Sequence, residues 1–194
     1  MTTTIAGIDY GPLAQLIGTW VGRHGTDLAP KPAAKGGEKT TAYHDELVFR
    51  AAGRAENYEE QWLAALSYRH VVRKASNAEV FHEQFGHWMY EPETGLVMHS
   101  LSIPRGVCLL AGGELRAEGS ATIFEVSAEA GSESFGIVQS PAMLDKARTE
   151  RFEMSLRVEG GTLRYRQLTR LSIYGKQFDH IDESQLSKSL YEVD

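Results

Sequence analysis

The stretch LIGTWVG, residues 16–22, places a tryptophan between two glycines at the start of an extended segment. In a β-barrel the first strand crosses the floor of the interior, and we expect Trp20 to plug that floor. Gly18 and Gly22 lie two residues to either side of it, on the same face of the strand. We expect these glycines to leave room for the indole and to let neighbouring strands approach closely. The motif therefore says more about the fold of the protein than about its ligand or reaction.

The composition predicts a globular chain with a sizeable interior and argues against several classes of function. The 194 residues fit one large all-β domain, and the net charge is −6. The 20 basic residues are scattered, which argues against nucleic acid as a partner. The single cysteine, Cys108, fits a reducing compartment, and we expect it to be a small residue of the core. The N-terminal residues do not resemble a signal peptide and no apolar run reaches the length of a membrane span, so we expect a cytoplasmic protein.

Alternation of apolar and polar residues dominates the sequence and predicts about ten strands. They are predicted at 18–27, 42–51, 60–74, 78–90, 95–103, 106–111, 114–127, 148–158, 162–174 and 187–193. Gly160-Gly161 predicts a tight hairpin, and Ala111 to Glu114 predicts another turn. Helical signals occur at 11–17, at 140–147 with Ser140 as cap, and at 182–186, with a turn or loop as the alternative at each.

No segment of the chain repeats or has the composition of a domain linker, so we predict one domain over residues 1–194. Residues 1–17 would form a lead-in with a short helical turn. Antiparallel strands joined by short turns close most simply into an up-and-down barrel, because closure removes the exposed edges. The predicted fold class is therefore an all-β barrel of about ten strands with one or two short helices, and a β-sandwich is the alternative.

Three stretches resemble a known family. Gly-x-Trp on a first strand is similar to the lipocalin and fatty-acid-binding superfamily, and residues 16–22 as a whole resemble the opening of the nitrobindin-like heme-binding β-barrels. His82-Glu83-Gln84-Phe85-Gly86-His87-Trp88 resembles that family's His-x-x-x-Gly-aromatic strand. Gln177-Phe178-Asp179-His180-Ile181 falls where the family carries its heme-ligating histidine.

The resemblance implies a ten-stranded barrel that holds a ferric b-type heme. By position, His180 would be the proximal ligand and metal-binding residue, and His82 would lie near the heme without binding iron. The family binds nitric oxide and converts peroxynitrite to nitrate, so the resemblance also implies a peroxynitrite isomerase if heme is bound.

Two features depart from the family's pattern. The first strand continues from Gly22 to Pro30 without the family's tyrosine. Asp179 and Asp182 flank His180, where apolar residues normally follow the ligand. The resemblance is therefore also compatible with a divergent branch that kept the barrel and altered or lost the heme.

The residues themselves leave the role of His180 open. A histidine that binds iron presents one neutral ring nitrogen to the metal while an acceptor orients its other N–H group. Either Asp179 or Asp182 is a candidate acceptor. The alternative is a loop histidine paired with carboxylates, which raise its pKa.

Further candidates for ligand binding share a predicted strand face or a predicted bend. His82, Gln84 and Trp88 lie on one face, and if that face lines a cavity they form a polar and aromatic wall that orients a small ligand. A structural histidine, hydrogen-bonded across the barrel, is the alternative for His82. Trp20 would form the cavity floor. Arg105 would project at a bend and meet an anionic group such as a propionate, with an exposed turn arginine as the alternative.

Three functions follow from these residues and the resemblance. The first is a barrel that holds heme b on His180, and the second is a heme-free barrel for a small apolar or aromatic ligand. The third, an enzyme using His82 and a carboxylate, has the least support, because the sequence has neither a nucleophile motif nor paired carboxylates. We name no catalytic residue. The expected partner is a small molecule rather than nucleic acid or a membrane, and a homodimer is left open.

Overall fold

The alternating residues form thirteen strands in the part of the chain that the structure describes, a computed structural model covering residues 3–32 and 34–190. The strands are β1 (Thr4–Ile5), β2 (Ile8–Asp9), β3 (Gly18–Pro30), β4 (Glu38–Asn57), β5 (Gln61–Lys74), β6 (Val80–Tyr90), β7 (Val97–Ile103), β8 (Val107–Glu118), β9 (Ala121–Glu129), β10 (Ile137–Gln139), β11 (Ala147–Glu159), β12 (Thr162–Ile173) and β13 (Lys176–Lys188). A 3₁₀ turn covers Gly11–Gln15, and the helix α1 covers Pro141–Lys146 with Ser140 as its N-cap.

Ten of the strands close into one antiparallel barrel. They follow the order β3, β4, β5, β6, β7, β8, β9, β11, β12 and β13, and β13 pairs with β3 to complete the ring. β10 is an additional strand beside the first residues of β8. Neighbouring strands are consecutive along the chain except where β10 and α1 intervene and where β13 meets β3. The predicted up-and-down barrel is confirmed, and the sandwich alternative is wrong.

The end of the barrel where β3 begins is tightly packed. The indole of Trp20 is 1% exposed, and its Nε1 donates a hydrogen bond to the Leu16 carbonyl at 2.7 Å. Leu13 and Leu16, from the 3₁₀ turn and the residue after it, are completely buried against the same core. Trp88 is also buried there, stacked on His99 with ring centroids 4.3 Å apart. This end is a packed apolar core that includes Trp20.

The two glycines beside Trp20 have a different purpose from the one predicted. A Cβ at Gly22 would overlap the carboxylate of Asp45 on the paired strand β4, so Gly22 makes room for a buried acid rather than for the indole. Gly18 has φ +124°, and its neighbour is the side chain of Lys188. The ammonium of Lys188 lies 5.2 Å from the centre of the Trp20 ring. Both glycines accommodate polar neighbours next to the floor.

Three sequence predictions are wrong in detail. Residues 111–114 do not turn but continue β8, because Gly112 and Gly113 admit the Phe135 ring and the Glu125 backbone so closely that a Cβ would collide with them. The segment 182–186 lies within β13 rather than in a helix. The last strand begins at Lys176, not at residue 187, and residues 191–193 of that prediction lie outside the described residues.

Two further observations complete the fold. Cys108 is exposed, so the prediction of a core cysteine is wrong; its thiol lies 3.3 Å from the Ser102 hydroxyl on the outer face of β8. No helix among the described residues is long and apolar enough to cross a membrane.

Candidate functional site

A cavity of about 440 Å³ occupies the end of the barrel opposite Trp20. This volume lies within the range of small-molecule sites. The end of β3, the starts of β6, β8, β11 and β13, and the ends of β7 and β12 surround it, and Met143 of α1 also lines it. Most of the wall is apolar: Ala29, Pro30, Phe81, Leu101, Ile103, Val107, Leu109, Ala147, Phe152, Leu171 and Ile173.

Three ionisable side chains form a group on one wall of the cavity, and we call Asp27, His180 and Asp182 the acid–histidine group. Asp27 on β3 and Asp182 on β13 are direct cross-strand partners. His180 lies two residues before Asp182, so both point to the inner face of the same strand. Strand register alone therefore brings together residues that are 153 positions apart in the sequence.

Both carboxylates of this group approach the same ring nitrogen. His180 Nε2 donates a hydrogen bond to Asp27 Oδ1 at 2.6 Å and lies 3.5 Å from Asp182 Oδ2. The side chain of Asp27 is 8% exposed, compared with 22% for Asp182 and 29% for His180. One ring nitrogen of His180 and one carboxylate oxygen of each aspartate lie within 4.8 Å of one another.

Burial and charge shift the pKa values of two members of the group. Burial opposes the charged form of His180, but its hydrogen bond to Asp27 and the charges of Asp182 and Asp27 outweigh this effect and raise the pKa of the ring. Burial raises the pKa of Asp182 to about 6, and the charge of Asp27 adds to this effect. A protonated His180 can balance at most one of the two carboxylates of the group.

The lining of the cavity also contains a neutral histidine, His82 on β6. His82 Nε2 lies 3.0 Å from Gln84 Oε1, and Gln84 is 1% exposed. Burial lowers the pKa of His82 to about 4, so the ring is neutral at pH 7. Because the amide oxygen of Gln84 accepts the Nε2–H bond, the free lone pair of His82 is on Nδ1. Both residues of this pair line the cavity.

The structure places the six predicted ligand residues in two groups. His180, His82, Gln84 and Arg105 line the cavity. Arg105 lies in the turn between β7 and β8, and its guanidinium donates to the Phe81 carbonyl at 3.0 Å. Trp20 and Trp88 belong to the packed core at the other end of the barrel.

Sequence reasoning missed Asp27, but one of the two partners that it named for His180 is present, because Asp182 Oδ2 lies 3.5 Å from His180 Nε2. Asp179 was one of the two candidate acceptors, but it faces outward and forms an ion pair with Arg170 at 2.8 Å. The contact between Asp27 and His180 requires the pairing of the first and last barrel strands. The strand alternation of β13 was the available signal, since it separates Asp179 from Asp182 and His180.

A second buried polar cluster that the sequence did not reveal is centred on Asp45. The hydroxyls of Tyr165 and Ser184 each donate to its carboxylate at 2.9 Å, and His70 Nε2 lies 3.2 Å from it. The ring of His70 lies 6.4 Å from that of His82 in the cavity wall. Gly22 provides the space in which this carboxylate is enclosed.

Comparisons with known proteins agree with this architecture. A family model described as "THAP4-like, heme-binding beta-barrel domain" matches residues 9–188. The crystal structure of Rv2717c from M. tuberculosis superposes with a TM-score of 0.69 and 21% sequence identity, covering 93% of this chain and 99% of that chain. At this identity the likeness concerns the fold. A search of curated proteins found no significant match.

Proposed function

This chain belongs to the THAP4-like heme-binding β-barrel family, and we propose from this that its cavity binds one small, largely apolar ligand. The observation that carries the proposal is the cavity of about 440 Å³ with apolar walls and one charged wall. Such a combination buries the body of a ligand and orients it through a few polar contacts. The acid–histidine group, the His82–Gln84 pair and Arg105 supply those contacts.

Heme b is the ligand that family membership favours, with His180 as the candidate iron ligand. The apolar walls suit a flat apolar macrocycle, and Arg105 suits a propionate. The donor group limits which nitrogen an iron could use. His180 Nε2 donates to Asp27 at 2.6 Å, so Nδ1 is the nitrogen left for a metal, and Asp27 is then the acceptor that orients the ring. We assign no iron-dependent step, and nitric oxide or peroxynitrite chemistry depends on the outcome of hemin titration.

A heme-free ligand is the second candidate, and the acid–histidine group itself favours it. Two carboxylates facing a cavity attract a group that donates hydrogen bonds or carries positive charge. The neutral His82 is an acceptor for a further donor on the same molecule. In this case the barrel recognises a small apolar or aromatic molecule through one polar end.

Titration with hemin and with metal-free protoporphyrin IX tests the proposal and separates the two candidates. Hemin held through His180 gives a strong Soret band that the His180→Ala variant loses, whereas protoporphyrin IX reports only how well the macrocycle fits. A Leu109→Trp variant, which fills the cavity from β8, is the control and should weaken binding of every ligand. If hemin, protoporphyrin IX and decylamine all fail to bind with one-to-one stoichiometry, the proposed function is wrong.

A further inference from the structure

Charge is distributed unequally between the two ends of the barrel. The connections β3–β4, β5–β6, β7–β8, β10–β11 and β12–β13 lie at the cavity end, and with two strand residues on either side we call them the mouth surface. Each connection carries a lysine or arginine, in this order: Lys35, Lys74, Arg105, Arg148 and Lys176. The acids of the mouth surface are fewer: Glu38, Glu79 and Asp145. This end is therefore basic, although the whole chain has a net charge of −6.

The turns at the packed end have the opposite charge. They are β4–β5, β6–β7, β8–β9 and β11–β12, and with the same two flanking residues they contain no lysine or arginine. Each has at least one glutamate: Glu59, Glu93, Glu118 and Glu159. The protein is therefore polarised along the barrel axis. An anionic surface attracts such a molecule with the cavity mouth foremost.

Much of the positive charge at the mouth is not neutralised within the protein. Glu79 and Asp145 each pair with a lysine of the same surface, at 2.6 and 2.7 Å. Lys35, Arg148 and Lys176 are exposed, and no acid in the described part of the chain forms an ion pair with them. These three side chains are long and flexible enough to reach phosphate groups outside the protein.

Exposed apolar side chains surround the same opening. Leu144 of α1 is 46% exposed, Tyr174 of the β12–β13 turn 44%, and Val80 at the start of β6 43%. Tyr174 also lines the cavity, so this apolar surface is continuous with the cavity wall. Proteins that lie on anionic bilayers combine the same two features: apolar side chains enter the headgroup region while cations remain beside the phosphates.

We propose that the mouth surface docks the barrel, opening first, on a bilayer that contains anionic phospholipids. An apolar ligand then passes between the acyl chains and the cavity without crossing water. The docking follows from the mouth surface, and only this use of it rests on the proposed function. The basic residues look scattered in the sequence because they come from five separate connections, which the fold gathers at one end.

A second copy of the chain is the rival occupant, because its acidic turns complement the mouth surface. Such a contact joins the mouth of one molecule to the packed end of the next. It is head-to-tail, so it does not close on itself and leads to open chains of molecules. A bilayer requires no such assembly and accepts the apolar side chains as well as the charges.

Cosedimentation of the full chain with vesicles tests the proposal. The vesicles consist of phosphatidylcholine alone or of equal parts of phosphatidylcholine and phosphatidylglycerol. The mouth variant removes three unpaired charges: Lys35→Gln, Arg148→Gln and Lys176→Gln. The matched control removes three exposed arginines towards the packed end: Arg54→Gln, Arg116→Gln and Arg164→Gln. Both variants have the same net charge, and thermal melting establishes that each is folded.

A second pair of variants tests the apolar contribution. Leu144→Gln removes an exposed apolar side chain from the mouth, and Tyr58→Gln removes one that is 74% exposed at the packed end. Neither residue lines the cavity.

We expect the wild-type protein to bind the anionic vesicles and not those of phosphatidylcholine. The mouth variant should bind about tenfold or more weakly, because each basic residue near an anionic surface adds to the attraction. The control variant should bind like the wild-type protein. Leu144→Gln should weaken binding and Tyr58→Gln should not. Added salt should release the protein, since it screens exposed charges.

Two results would overturn the proposal: equal binding to both kinds of vesicle, and equal losses in the mouth and control variants. A third is the absence of vesicle binding together with oligomers in sedimentation velocity that only the mouth variant fails to form, which would identify the second copy as the occupant. Titration with protoporphyrin IX without vesicles reports on the cavity separately. Vesicle binding without ligand binding leaves the docking intact and refutes the proposed function, and ligand binding without vesicle binding does the reverse.

Discussion

Each end of the barrel holds a histidine, and the two rings have opposite properties. At the packed end, His99 is fully buried between aromatic rings, with Trp88 stacked at 4.3 Å and Phe152 at 6.0 Å. At the cavity end, His180 meets two carboxylates. Burial lowers the pKa of His99 to about 3, whereas the carboxylates raise that of His180. The surrounding side chains, and not the residue type, therefore determine whether the pKa of a histidine ring is lowered or raised.

We expect the packed end of the barrel to contribute more to stability than the cavity end. The Trp88→Ala substitution is the strongest test of this assignment. Trp88 is completely buried, so its removal leaves a large cavity and should lower the free energy of unfolding by about 4 kcal/mol. Urea denaturation measures the loss. The half-buried Trp62, on β5, is the matched control and should cost clearly less when changed to alanine. Equal losses at both positions would contradict the assignment.

A Gly22→Ala substitution tests the boundary between the two ends. The new methyl group would overlap the Asp45 carboxylate, so we expect a loss of about 3 kcal/mol in the free energy of unfolding. Removing the obstructing carboxylate as well, in Gly22→Ala with Asp45→Ala, should make the two losses less than additive. Strict additivity in chemical denaturation would show that the glycine does not make room for Asp45.

The pH dependence of stability sharpens the contrast between the histidines. Because the folded-state pKa of His99, about 3, is below the value near 6.5 of an exposed histidine, protons bind the unfolded chain more readily. The contribution of the neutral His99 ring to the free energy of unfolding is therefore complete above pH 6.5 and is lost as the pH falls towards 3. Relative to a His99→Phe variant, the wild-type protein should lose about 2 kcal/mol between pH 7 and pH 5. Parallel stability curves for the two proteins would disprove the assignment of this pH dependence to His99.

The smallest effect is expected on the outer face of the cavity end. Asp179 and Arg170 form an exposed ion pair at 2.8 Å, and such pairs contribute little to stability. Asp179→Asn should leave both the melting temperature and decylamine affinity close to those of the wild-type protein. A large change in either would mean that the outer face of β13 is coupled to the cavity.

Alternation predicted the fold and part of the cavity because it reports which residues share a strand face. It placed His82 and Gln84 together, and the structure has both on the cavity wall. It also placed Trp88 with them, but Trp88 lies six residues further along β6, near the opposite end of the barrel. Alternation along a strand predicts which face of the sheet a residue lies on. Its position along the barrel axis depends on the register with the neighbouring strands.

Asp27 was beyond prediction for the same physical reason. Its partners on β13 are set by a pairing between the first and last strands of the barrel, and the sequence contains no local signal for that pairing. Gly112-Gly113 shows a second limit. Consecutive glycines are typical of turns, but they also occur where another group presses against a strand, as Phe135 and Glu125 do here. Only the packed structure separates these two uses.

The pairing of β3 with β13 has a consequence for how the protein is made. Synthesis proceeds from the N-terminal end, so Asp27 emerges long before His180 and Asp182, and the wall they share forms only when the last barrel strand docks. Until then β3 is an uncovered edge that other chains can join. Ligand capture is therefore a late event in the life of the nascent chain, and a polypeptide that stops short of β13 has neither the anionic wall nor protection from aggregation.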